Sequence, residues 1–262
     1  IGRYSWLTKK LNNDGYHVIS IDHRGHGNRI DHNPKGFFGE QNGWDLVVED
    51  LSALIGQSKQ DYPNLKQFLI AHSMGSWIAL SALQNNIVID GLILSGSSKP
   101  AKVMILIQKV LIKTQILFFG KKSVSVFLDN VTLGSYNNFF KPNRTQKDWI
   151  SSDDDNVDNY VADPLCGFRV TNGLWDDLVN GILKAFNNNN YSLSNNSIPI
   201  FIISGSKDPV GENGKGVMRL NNFLSNIFSN VSIKIVDEAR HEVFSETTKE
   251  NSYNTLIKFI ET

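Results

Sequence analysis

Phe68-Leu69-Ile70-Ala71-His72-Ser73-Met74-Gly75-Ser76-Trp77 is the stretch on which the reading of this chain turns. It starts as a continuous apolar run of the kind carried by strands buried on both faces. It then passes into a helical pattern with no linker, and a single serine stands at the junction. A strand that becomes a helix within one residue bends the backbone sharply and lifts the Ser73 hydroxyl clear of the sheet. The bend brings the residues two before and two after the serine together, so both should be small. They are Ala71 and Gly75. The same bend aims the Met74 N–H, at a helix N-terminus, toward negative charge developing near Ser73. An ordinary helix N-cap serine fits the same pentapeptide, so the rest of the chain must separate the two readings.

Outward from this passage, short β-rich runs alternate with helical patterns. Residues 16–22, 67–71, 91–95, 199–204 and 232–236 read as strands, and 4–13, 44–62, 74–85, 214–228 and 247–261 as amphipathic helices. Strands alternating with helices imply right-handed crossovers and a mostly parallel sheet with helices on both faces, an α/β fold. One interval breaks the rhythm. Residues 97–197 separate the third and fourth runs, and they read as a mainly helical insertion on the strand C-terminal side. The core would then be built from 1–96 and 198–262. A second independent domain is the competing reading, but so short a continuous segment would have a thin core of its own.

Composition narrows the function classes. The chain has 262 residues with Lys+Arg 26 and Asp+Glu 26, so it lacks the basic excess of a nucleic-acid protein. One cysteine, Cys166, excludes an internal disulfide and a cysteine-based zinc site. It fits a reducing compartment, so the expectation is a cytoplasmic protein. No run reaches the roughly 20 apolar residues of a membrane span. The nearest, 103–119, is interrupted by Gln108, Lys109, Lys113 and Gln115. The chain opens at Ile1 in what reads as the entry to a helix, which makes the lack of a leader uninformative.

A serine needs a base to become a nucleophile. Of six histidines, His241 alone follows His72, in Ala239-Arg240-His241-Glu242 after the last strand. A base needs an orienting carboxylate. Asp208 stands in Ser204-Gly205-Ser206-Lys207-Asp208-Pro209-Val210, just past the penultimate strand. Alone, His241 reads as a loop histidine and Asp208 as a turn former. Together the order Ser73, Asp208, His241 places each residue after a different parallel strand, on one edge of the sheet. Asp237 competes for the acid role but lies too near His241 in the chain. The loop Asp22-His23-Arg24-Gly25-His26-Gly27 invites a metal reading, but its spacing converges poorly and a pocket wall is expected instead. Asp153-Asp154-Asp155 reads as a solvated loop. No metal site is expected.

These passages, with Gly2-Arg3-Tyr4, Gly39-Glu40-Gln41-Asn42-Gly43-Trp44 and Asp163-Pro164-Leu165-Cys166-Gly167-Phe168, resemble the α/β-hydrolase group that contains bacterial lysophospholipases and monoacylglycerol lipases, the serine-aminopeptidase-like hydrolases. The resemblance runs along nearly the whole chain, with Ala71 in place of the family's glycine. It implies Ser73 as nucleophile, His241 as base, Asp208 as acid and Met74 N–H as an oxyanion-hole donor, with no cofactor. It implies esters of amphiphilic lipids as substrates, lysophospholipids or monoacylglycerols. The insertion would be a lid whose helix 103–119 roofs the pocket and touches membrane surfaces transiently. The family's His-Gly oxyanion loop would fall just upstream of Ile1 together with the first strands, leaving five strands where the family has about eight. Losing that donor would cost on the order of 2.7–4 kcal/mol of transition-state stabilisation. The competing expectation is therefore a truncated, catalytically inert remnant that at most binds lipid.

Overall fold

Two runs, Gly91–Ser95 (β2) and Ile200–Gly205 (β3), are buried at every residue, as strands covered by helices on both faces must be. They form the middle of a four-stranded sheet of order β1-β2-β3-β4, flanked by Phe68–His72 (β1) and Val231–Val236 (β4), and all pairings are parallel. The computed structural model describes residues 1–262. The register pairs His72 with Ser95, Ser95 with Ile203 and Gly205 with Val236, so the strands end at nearly the same level. The turns that follow them share one edge, which is where a parallel sheet collects its functional loops.

Helices cover both faces. Gly43–Asp61 (α2), Met74–Leu83 (α3), Asn172–Ala185 (α8) and Lys215–Ser225 (α9) bury their apolar residues in the larger core, with Val47, Ile78, Ala79, Leu80, Leu220 and Leu224 almost fully enclosed. On the opposite face Ser5–Asn13 (α1) and Lys249–Ile260 (α10) pack Leu7, Leu11, Tyr253 and Leu256 against Ile93, Phe201 and Ile203. Alternate residues of β2 and β3 thus feed opposite cores, the period-2 geometry of a strand. No helix is long and apolar enough to cross a membrane.

Residues 16–22 form no strand. Their apolar alternation sets Tyr16 and Val18 against the smaller core, but alternation supplies only a packing face. A strand also needs a neighbour to complete its hydrogen-bond ladder, and no strand pairs with this segment. The sheet therefore has four strands rather than the five expected, and β1 lies at its edge.

Between β2 and β3 run Lys102–Phe119 (α4), Val126–Val131 (α5), Leu133–Tyr136 (α6), Asp154–Ala162 (α7) and α8. The last of these differs from the others in its packing. α8 lies against α2 and α3 and contributes Leu174, Trp175, Val179 and Ile182 to the main core. α4 packs on α8 and buries only Ile105 and Ile112. Val103, Met104, Leu106, Ile107, Val110, Leu117, Phe118 and Phe119 on the same helix are exposed.

Candidate active site

β1 ends at His72, and Ser73 adopts φ 50°, ψ −124°, a conformation that costs a non-glycine residue strain energy. The chain holds it there with backbone bonds on both sides. Ser73 N–H donates to Ser95 O at 2.9 Å, and Ser76 N–H donates to Ser73 O at 2.9 Å. α3 starts at the next residue, so Met74 N–H heads a helix whose first N–H groups have no helical acceptor. Crowding at Gly75 does not explain the turn, because a Cβ added there would meet only His23 Nε2, at 3.9 Å.

Ser73 Oγ lies 3.0 Å from His241 Nε2. His241 Nδ1 lies 3.1 Å from both oxygens of Asp208. Asp208 is fully buried and also accepts from Val210 N–H at 2.9 Å and from the Ser204 hydroxyl at 3.2 Å. The three residues named from the sequence therefore meet in one hydrogen-bonded line. Asp237 makes only a 3.4 Å contact with Ser206 Oγ at the surface.

The electrostatics suit proton transfer. Burial works to raise the Asp208 pKa, but the adjacent His241 charge and the hydrogen bonds from His241 and Val210 outweigh it and hold the carboxylate below its ordinary value. Burial works to lower that of His241, and the charge and hydrogen bond of Asp208, with a contribution from Glu242, outweigh it in the other direction. A hydroxyl, an imidazole and a buried carboxylate so ordered can pass a proton from oxygen to nitrogen while the carboxylate fixes the tautomer.

Several further residues build this site, to which the sequence assigned no individual role. Gly205 is needed because a Cβ there would lie 2.1 Å from Ala239 O and 2.2 Å from Arg240 O, so the His241 loop can rest on the end of β3 only over a glycine. Gly96, at φ +56°, similarly leaves room for the His72 and His241 rings. Glu246, 1% exposed, accepts from Arg240 N–H at 2.6 Å and Ser152 N–H at 2.9 Å and so ties the His241 loop to the insertion. Glu242 N–H donates to Ile150 O at 2.8 Å. The Glu242 carboxylate binds Arg3, from the turn before α1, and Asn156 of α7. Apart from the Glu246–Arg240 bond, these contacts join residues far apart in the sequence, which only the fold brings together.

The Asp22–Gly27 loop lies beside the turn, with His23 near Gly75. Burial pushes His23 down to about 4, and no group of three or more histidine, cysteine or carboxylate side chains could hold a metal ion. Asp154 and Asp158 bind Arg144 at the surface.

Comparison with known proteins adds the decisive observation: the family model for serine aminopeptidase, S33, matches residues 1–248. The chain belongs to this hydrolase family. The match spans both core segments and the insertion. A monoglyceride lipase homolog of Monkeypox virus is 23% identical over 100% of this chain and 83% of its own length. A monoacylglycerol lipase of Mycolicibacterium smegmatis is 25% identical over 94% of this chain and 78% of its own. A thermostable carboxyl esterase of Bacillus coagulans, solved with glycerol, superimposes with a TM-score of 0.90 at 27% identity, covering 100% of this chain and 85% of its own. The α/β-hydrolase fold of the S33 group is thereby established for this chain.

Proposed function

We propose that the chain is a serine esterase that hydrolyses carboxylic esters of amphiphilic lipids, monoacylglycerols or lysophospholipids, through an acyl-enzyme. The observation that carries this reading is the continuous line Ser73 Oγ–His241 Nε2–His241 Nδ1–Asp208, at 3.0 and 3.1 Å, starting from a serine at positive φ.

His241 takes the Ser73 proton on Nε2 as Oγ bonds to the ester carbonyl carbon. The carbonyl π pair moves onto oxygen, and Met74 N–H stabilises the oxyanion. The intermediate collapses, the C–O bond to the alcohol breaks, and the leaving alkoxide takes the proton from His241. Water then repeats the sequence on the acyl-enzyme: it gives a proton to His241, adds to the acyl carbon, and Ser73 leaves as the alcohol with that proton restored. Asp208 stabilises the imidazolium in both halves. No metal or redox group is needed at any step.

The lipid preference rests on α4 and on the names of the relatives. α4 leaves an apolar band in solvent, broken by Lys109 and Lys113, with a shallow groove lined by Leu106, Val110, Thr114 and Leu117. An exposed apolar patch on this scale marks an interaction surface. We assign it to transient contact with a lipid surface, with the insertion serving as a lid.

Hydrolysis of a 1-monoacylglycerol and of lysophosphatidylcholine by the wild type and Ser73→Ala tests the proposal. The expected result is release of fatty acid that falls by at least about a thousandfold in Ser73→Ala. Equal rates in the two proteins would exclude Ser73 as nucleophile. Lipid binding without hydrolysis of any ester would instead identify an inert lipid-binding chain.

A further inference from the structure

His241 has aromatic neighbours as well as its hydrogen-bond partners. The Trp149 ring, contributed by the insertion, has its centroid 5.1 Å from that of His241 at an interplanar angle of 40°. His72 lies 4.6 Å from His241 at 51°. The series continues outward, from Trp149 to Tyr136 at 5.2 Å and from His72 to Tyr4 at 6.3 Å. The imidazole therefore sits within a row of rings that begins in the insertion and ends at the start of the chain.

Trp149 is held here by packing and by its backbone. Its indole N–H is buried with no hydrogen-bond partner, although a buried Trp usually finds one. Its backbone N–H donates to Asn137 Oδ1 at 3.1 Å, and the neighbouring Ile150 carbonyl accepts from Glu242 N–H at 2.8 Å. The residue is 5% exposed. The contact between Trp149 and the imidazole is thus one of ring against ring, with no hydrogen bond between them.

Both ring neighbours suit a histidine that becomes positively charged during the reaction. An indole face attracts a cation within about 6 Å of its centroid. A second imidazole at the same range would repel that charge if it were itself protonated, but burial and the neighbouring His241 charge hold His72 down to about 4. The other groups facing His241 are Asp208 from the turn after β3, Ser73 from the turn after β1, and Glu242 on its own loop, bound to Arg3 and Asn156. One ring further out, burial pushes the Tyr136 phenol up to about 12 and raises that of Tyr4. Both stay uncharged.

We propose that Trp149 is a positioning residue for the proton transfer, holding the His241 ring in line with Ser73 and stabilising the imidazolium with its indole face. Proton transfer thus depends on the insertion being docked, since the insertion supplies this ring. The inference rests on the acyl-transfer reading of Ser73, His241 and Asp208.

Trp149→Leu keeps apolar cover but removes the face, and Trp149→Phe keeps a face while removing the unpaired N–H. With a short soluble p-nitrophenyl ester, Trp149→Leu should lower kcat about tenfold with KM within about twofold, the pattern of a lost transition-state interaction. Its acidic limb in kcat/KM should move down by about half a pH unit. Trp149→Phe should restore both. Emission of the wild type minus that of Trp149→Phe should step at the pH of the wild-type acidic limb, because a protonated imidazole quenches an adjacent indole. A fluorophosphonate label on Ser73 serves as the control. If the wild type takes the label, an unlabelled wild-type pH profile that superimposes on that of Trp149→Leu, or a Trp149→Phe as slow as Trp149→Leu, or a flat emission difference, overturns the role of Trp149 and leaves the triad standing. A lower melting temperature in Trp149→Leu with an unmoved acidic limb also overturns it. No label on the wild type overturns the triad and Trp149 together.

Discussion

Glu246 accepts hydrogen bonds from the backbone of Arg240 at 2.6 Å and of Ser152 at 2.9 Å, joining the residue before the candidate base to a segment of the insertion. The two donors come from loops on opposite sides of β3 in the chain, and the carboxylate is nearly inaccessible to water. It fixes the loop from which His241 projects, much as Asp208 fixes the His241 ring.

Removing that brace should cost stability as well as rate. Glu246→Ala takes the acceptor from two part-buried backbone donors, Arg240 N–H and Ser152 N–H, and lost bonds of this kind cost on the order of 1 kcal/mol each. Urea unfolding should show a lower midpoint with an unchanged slope, and kcat on a soluble ester should fall while Ser73 remains present. A variant as stable and as active as the wild type would remove Glu246 from the account.

Asp208→Asn should leave the fold intact and lower kcat by about 10⁴, the effect of a wrongly oriented imidazole. The pH dependence has a definite sign. His241 acts as a base only when neutral, and its pKa is raised above the ordinary 6.5 chiefly by Asp208. The acidic limb of kcat/KM should therefore lie above pH 6.5 in the wild type, with activity rising as pH increases through it. In Asp208→Asn, burial is no longer opposed by that charge, so the residual limb should move to lower pH. A pH–rate series on both proteins checks this.

Two glycine substitutions should behave oppositely. Gly75→Ala places its Cβ no nearer than 3.9 Å to any neighbour, so activity should stay close to that of the wild type. Gly205→Ala drives a Cβ into the Ala239 and Arg240 carbonyls, and the backbone must shift to accept it. Overpacking of that kind costs about 1–3 kcal/mol and displaces the His241 loop. Kinetics on the two purified variants with one soluble ester make the comparison.

The exposed face of α4 should be separable from the chemistry. Replacing Leu117, Phe118 and Phe119 with serine removes side chains that are 61–80% exposed, so stability should barely change. Co-sedimentation with phosphatidylcholine vesicles should weaken, while turnover of a water-soluble short ester stays within about twofold. Unchanged sedimentation would remove α4 from lipid contact.

The sequence announced some of these elements and concealed others, for physical reasons. β1, Ser73 and α3 were legible because a buried parallel strand is a continuous apolar run and the turn needs a serine at its end. Ser73, Asp208 and His241 could be collected from their order, since each follows a strand and parallel strands share an edge. Residues 16–22 misled because a strand is a relation between two segments, and alternation describes only one of them. α8 looked like part of the insertion because its position in the chain says nothing of the face it covers. Trp149 and Glu246 carry no motif at all. Their significance arises only when residues about 90 positions apart in the chain are brought together by the sheet.

The proposed chemistry stands on Ser73 acting as a nucleophile activated by His241. Reaction of the intact chain with a fluorophosphonate, read by intact mass and peptide mapping, tests it most directly. One adduct per chain is expected, on the peptide carrying Ser73, absent from Ser73→Ala and strongly slowed in His241→Ala. No adduct on the wild type, or an equal adduct on Ser73→Ala, would contradict it.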